Sequence, residues 1–181
     1  MSYFTSLPQD AGVRHILAMN PAAGRALIEF HSAALRVDSQ LTSKDKELIA
    51  AFVSGLNGCQ YCYGVHAETA KAFGVSESLL ESLLSDFDHA PVDIKLKPLL
   101  AYARVLTQTP SKVTQRDVDD VLGAGWTERD LNDAILTICL FNFMNRLLDG
   151  HGVKGSADLF VERGQALKEH GYAPLLKSMT R

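Results

Sequence analysis

Strand signals are nearly absent from this 181-residue chain. No run of alternating Val, Ile, Thr and aromatic residues lies between turn dipeptides, which leaves no basis for a sheet. Cysteine is scarce. Three residues are an odd number and too few for a disulfide scaffold, so any disulfide is expected to be transient and catalytic. An excess of one charge is missing too: 18 basic residues face 21 acidic ones, for a net charge of −3 and a pI near 6.0. That balance argues against nucleic acid or a membrane surface as a partner. The apolar runs are broken by Asn, Asp or Arg well short of a membrane span. The opening MSYFTSLPQDAGVRHI has no basic segment followed by an apolar one, so no signal peptide is expected and the cytoplasm is the default location. Blocks of like charge are also lacking, and 46% of the residues are hydrophobic, the composition of an ordered domain. A chain of this length buries roughly 70% of its unfolded surface without a covalent staple.

What the sequence does have is helix punctuation. Asn20-Pro21 places a cap before a proline at the first helical position, opening an amphipathic segment over 21–37. Thr42 opens a helix to about Leu56, Ser76 a short one to about Leu84, and Asp93 one over 94–108. Thr114 with Asp117 and Thr127 with Asp130 have capping-box spacing, and Gly74, Gly123 and Gly125 read as stops. The fold class is all-α, a single helical domain.

Shifting the chain by 85 residues aligns Thr42 with Thr127, Asp45 with Asp130, Asn57 with Asn142 and His66 with His151. This register predicts an internal duplication of a helical hairpin. The half over about 20–90 would be redox-active and the half over about 93–181 degenerate, since Asn132, Met144 and Leu147 stand opposite Glu47, Cys59 and Cys62.

The chemistry concentrates in Glu47-LIAAFVSGLNG-Cys59-Gln-Tyr-Cys62-Tyr-Gly-Val-His66. Asn57-Gly58 breaks the helical pattern, so Cys59 lies at the start of the next helix, which runs to about Phe73. Cys59, Cys62 and His66 are then spaced i, i+3 and i+7 on one face. Thiolate is the reactive form of cysteine, and the positive end of a helix dipole favours it. His66 can act as a general base, and a second thiol one turn away can resolve a sulfenic acid before over-oxidation. If the two helices return antiparallel at Asn57-Gly58, Glu47 and His66 come level, and the carboxylate can orient the imidazole.

Glu-x11-Cys-x2-Cys-x3-His, filled here by Glu47, Cys59, Cys62 and His66, resembles the core motif of alkylhydroperoxidase D-like proteins in the carboxymuconolactone decarboxylase superfamily. Phe141-Asn142-Phe143-Met144-Asn145-Arg146-Leu147 resembles the hallmark of its peroxidase-related branch. The resemblance implies an all-helical, homo-oligomeric protein in antioxidant defence. It implies a dithiol peroxidase, recharged by an external thiol or a lipoylated protein, with no cofactor. It also implies that Cys62 meets peroxide, that His66 and Glu47 activate it, and that Cys59 resolves. Tyr61 stands where some members carry a further relay histidine.

Zinc would need a fourth ligand beside Cys59, Cys62 and His66, and no second motif offers one. Cys139, within Leu136-Thr137-Ile138-Cys139-Leu140, is expected to be buried and inert. His15, His31, His89 and His170 have no partner motif and are expected at the surface or locally bonded, with His151 at a helix end. Arg146 and Asp149, three apart, are expected to pair. Two other functions remain open: acid–base chemistry by His66 and Glu47 on a small carboxylated substrate, and a redox sensor without turnover. Apolar residues over 131–148 go most of the way round the helical wheel, which predicts a homo-oligomer with part of that helix at the contact.

Overall fold

The structure, a computed structural model, describes residues 2–37 and 39–178. It is 73% helical, with no strand among the described residues. In chain order the helices are α1 (Val13–Ala18), α2 (Pro21–Arg36), α3 (Ser43–Leu56), α4 (Gln60–Ala72), α5 (Glu77–Ser85), α6 (Leu96–Gln108), α7 (Gln115–Gly123), α8 (Glu128–Gly150), α9 (Ala157–His170) and α10 (Ala173–Ser178). None is long and apolar enough to cross a membrane.

Local chemistry sets the boundaries. Asn20 accepts from the Ala23 backbone N–H at the head of α2 (3.2 Å). The expected capping boxes of Thr114 with Asp117 and Thr127 with Asp130 form, and Thr42 with Asp45 makes a third, satisfying donors that a helix start leaves unpaired. α6 begins at Leu96, slightly later than its sequence signal, because the Asp93 carboxylate turns back onto the Lys95 N–H (2.8 Å).

α3 is the centre of the molecule: every residue from Lys46 to Ser54 is buried. It packs against α4, α8, α6, α5 and α2. The turn after it uses Gly58 at φ 68°, a left-handed conformation that side chains resist, and Cys59 N–H reaches back to Ser54 O (3.0 Å). This turn sends α4 back along α3, and α9 then covers α4.

The register at 85 residues meets a structural difference. Thr42 and Thr127 cap their helices identically, and Asn57 donates to its counterpart Asn142 (Nδ2 to Oδ1, 3.1 Å). Where α3 stops at Asn57-Gly58, however, α8 runs straight through Asn142-Phe143 to Gly150, so the second segment has no hairpin.

Candidate active site

α4 presents Cys62 and His66 to a cavity of about 180 Å³, and α3 places Glu47 behind His66. Glu47 is fully buried and its two oxygens serve two partners. Oε2 accepts from His66 Nδ1 at 2.6 Å, and Oε1 accepts from Arg36 Nη2 at 2.5 Å. Burial pushes the Glu47 carboxyl up, but His66 and then Arg36 outweigh it and hold the group below the usual carboxylate range. The shared carboxylate fixes the imidazole, whose edge also meets Phe141 at a centroid distance of 4.4 Å. With Nδ1 committed to Glu47, Nε2 is the nitrogen left to exchange a proton with the cavity.

Arg36 carries no sequence motif, yet it completes this cluster from the last turn of α2. It also donates to Leu167 O on α9 (3.3 Å), and its guanidinium lies 5.3 Å from the Tyr172 ring centroid. One side chain thereby ties α2, α3 and the α9–α10 segment around the site.

Cys59 is the N-cap of α4 and Cys62 stands one turn on. Both are buried, but Cys62 lines the cavity and Cys59 lies behind it. A hydrogen bond from Cys62 lowers the Cys59 thiol against the opposing effect of burial. The same bond, followed by burial, pushes Cys62 well above the ordinary thiol range. The two sulfurs form one interacting pair in which Cys59, nearer the helix N-terminus, is shifted down and Cys62 up. The Asp149 carboxylate opposes thiolate formation at both sulfurs, whereas Asn145 favours it at Cys62. Asn145 is held by Asn57 Nδ2 donating to its Oδ1 (2.8 Å) and by its own Nδ2 donating to Ser54 Oγ (3.0 Å).

Two expectations need correction. Cys139 is exposed, on the outer side of α8. Arg146 does not pair with Asp149; it donates to Asn142 O (2.7 Å) and Oδ1 (3.0 Å), one turn back, while Asp149 faces the dithiol. His31 is locally bonded, as expected, through Nδ1 to Leu27 O (2.7 Å), but it is also buried and forms part of the cavity wall. Burial lowers its pKa from 6.5 to about 4, so it is neutral. No group of three or more His, Cys, Asp or Glu residues suited to a metal ion occurs among the described residues.

Residues 21–85 match the carboxymuconolactone decarboxylase family, a span that holds Arg36, Glu47, Cys59, Cys62 and His66. No curated protein matches the chain. Among solved structures, an uncharacterized peroxidase-related protein from Ralstonia eutropha JMP134 with an alkylhydroperoxidase AhpD core superposes with a TM-score of 0.75 at 22% identity, over 83% of this chain and 79% of that one. An uncharacterized peroxidase-related protein from Silicibacter sp. TM1040 gives 0.75 at 25% identity, over 81% and 76%. A protein of unknown function from Agrobacterium tumefaciens, whose name points to antioxidant defence and AhpD, gives 0.68 at 20% identity, over 76% and 94%. The chain thus matches the carboxymuconolactone decarboxylase family over residues 21–85 and takes an all-helical, AhpD-like fold.

Proposed function

We propose that this protein is a thiol-dependent peroxidase that reduces peroxides through the Cys59–Cys62 dithiol. The observation that carries the reading is the sharing of one cavity by Cys62 and His66, with His66 anchored to buried Glu47 and Cys59 one helical turn behind. Access to the cavity argues for Cys62 as the attacking sulfur, with Cys59 behind it to resolve. His66 Nε2 takes the Cys62 proton as a general base when the substrate arrives.

Cys62 thiolate then attacks the distal peroxide oxygen, the O–O bond breaks, and the leaving alkoxide takes a proton from His66 Nε2. This leaves an alcohol and Cys62 sulfenic acid. The Cys59 sulfur displaces hydroxide from that acid, water leaves with the Cys59 proton, and a Cys59–Cys62 disulfide forms. An external dithiol, such as a lipoylated protein, reduces the disulfide by exchange and is itself oxidised. Arg36 and Glu47 position His66 throughout.

One equivalent of peroxide is expected to convert Cys59 and Cys62 to an intramolecular disulfide, read by tryptic mass mapping. Cys62→Ser is expected to abolish thiol-dependent peroxide consumption, and full activity in that variant would refute the reading. Because Cys139 is exposed, both measurements belong in a Cys139→Ser background.

The buried Glu47–His66 pair supports a second reading, acid–base chemistry without redox. Activity on a small carboxylated substrate that survives the double Cys59→Ser, Cys62→Ser change but not His66→Ala would select it.

A further inference from the structure

The cavity at Cys62 is walled mainly by apolar side chains from α1, α2, α4, α8, α9 and α10, and two polar atoms in that wall have no partner. One is the hydroxyl of Tyr172, a residue 5% exposed at the α9–α10 junction. The other is Nε of Arg163, on α9. Both are donors, and a buried donor without an acceptor costs about 1–3 kcal/mol. Neither is used by the chemistry proposed above, and both lie outside the segment matched by the family.

The two donors have different charged neighbours. Tyr172 is close enough to Cys62 and Glu47 for their charges to act on its hydroxyl. Arg163 instead acts on Tyr61, together with Arg14. Leu17, Val65, Phe141 and Met144 belong to the same wall. A second space of about 370 Å³ adjoins the first and shares Arg14, Leu17, Ile28 and Leu175 as walls. The two spaces suit a ligand larger than hydrogen peroxide, since small-molecule sites run from roughly 300 Å³ upward. A ligand complementary to these walls brings an oxygen acceptor to Tyr172, negative charge to Arg163 and an apolar body to the rest.

We infer that this cavity takes an organic anion with an apolar body, its anionic group paired with Arg163 and an oxygen at its reacting end accepting from the Tyr172 hydroxyl. Resting on the peroxidase reading, this makes the substrate a carboxylate-bearing organic hydroperoxide rather than hydrogen peroxide. The step is the one written above, with Tyr172 donating a hydrogen bond and keeping its proton.

The test measures binding apart from turnover. Octanoate and 1-octanol, which share a chain and differ in charge, are titrated calorimetrically into the reduced full-length protein. Octanoate is expected to bind about tenfold or more tightly, the range of a charge-assisted hydrogen bond. Arg163→Gln is expected to collapse that ratio towards one, and Arg163→Lys, which retains the charge without Nε, to keep part of it. Equal binding of the two probes to the wild-type protein, or no binding of either, overturns the inference without any variant. A ratio that survives Arg163→Gln in a protein of unchanged circular dichroism also overturns it. Turnover of cumene hydroperoxide, an organic peroxide, is followed in parallel. Its absence beside an Arg163-dependent octanoate preference removes the peroxidase reading and leaves the anion site. Its presence without that preference does the reverse.

Discussion

Glu47 is the residue where the packing of the site and the proposed chemistry meet. Its carboxylate is buried with two cationic partners, so removing its charge strands the Arg36 guanidinium as well as freeing the imidazole. Glu47→Gln is expected to lower peroxide turnover by about 100-fold, the usual loss when a proton carrier is no longer held, and to cost roughly 3 kcal/mol in urea unfolding. Wild-type turnover in that variant would remove Glu47 from the mechanism. His31 makes a separate statement about pH. Its folded pKa of about 4 lies below the ordinary 6.5, so between those values the unfolded chain binds more protons than the folded one. Stability is therefore fully present above pH 6.5 and falls as the pH drops towards 4, by up to about 3 kcal/mol from this residue. Glu47 adds to the acid loss, because its lowered carboxyl must be protonated as the pH falls further. In His31→Gln the stability slope between pH 6.5 and 4 is expected to flatten relative to wild type, with the Glu47 contribution common to both proteins. Parallel slopes in urea titrations would show that His31 does not titrate in this way.

Two elements, α4 and α9, press closer together than side chains normally allow. A Cβ on Gly164 of α9 would stand 2.7 Å from the Glu68 carbonyl carbon and 2.8 Å from Thr69 N, both backbone atoms of α4. A Cβ on Gly64 of α4 would instead meet the ring of Phe160, a side chain that can turn. Gly164→Ala is therefore expected to destabilise by about 1–3 kcal/mol despite the roughly 1 kcal/mol that alanine adds to a helix, and Gly64→Ala by less. Thermal melts of the two variants check the order. The same contrast between local and distant packing explains what could be read from the sequence. Glu47, Cys59, Cys62 and His66 belong to a single hairpin, where helical rise and one turn residue fix the geometry, so spacing alone brought the carboxylate level with the imidazole. Arg36, His31, Arg163 and Tyr172 arrive from α2, α9 and the junction before α10, and no local pattern says that these elements converge. The caps were legible because Thr and Asp act within one turn. The side of α8 that would hold Cys139 was not, because an all-round apolar pattern does not say which face lacks a neighbour.

At the scale of the whole molecule, that missing neighbour on α8 bears on assembly. The helix buries Leu131, Ala134, Ile138, Phe141, Met144 and Leu148 against its own chain. Its outer face carries Leu136, Cys139 and Phe143, spaced three and four apart, and Phe143 is 50% exposed. A row of apolar side chains on one side of a central helix points to association, and Leu, Cys and Phe lie between the exposed polar ends Asn132 and Arg146. In a two-fold dimer the same stripe would meet its copy, so that one surface serves both partners. We propose that the protein is a homo-oligomer in which this face of α8 is covered by a second copy. Light scattering at micromolar concentration is expected to give a multiple of 19.8 kDa. Phe143→Glu is expected to shift that mass to the monomer with helical content unchanged, since the substituted side chain lies outside the core and two facing carboxylates would repel. A wild-type protein that scatters as a 19.8 kDa monomer refutes the assembly, and an unchanged oligomer in Phe143→Glu moves the contact to another surface.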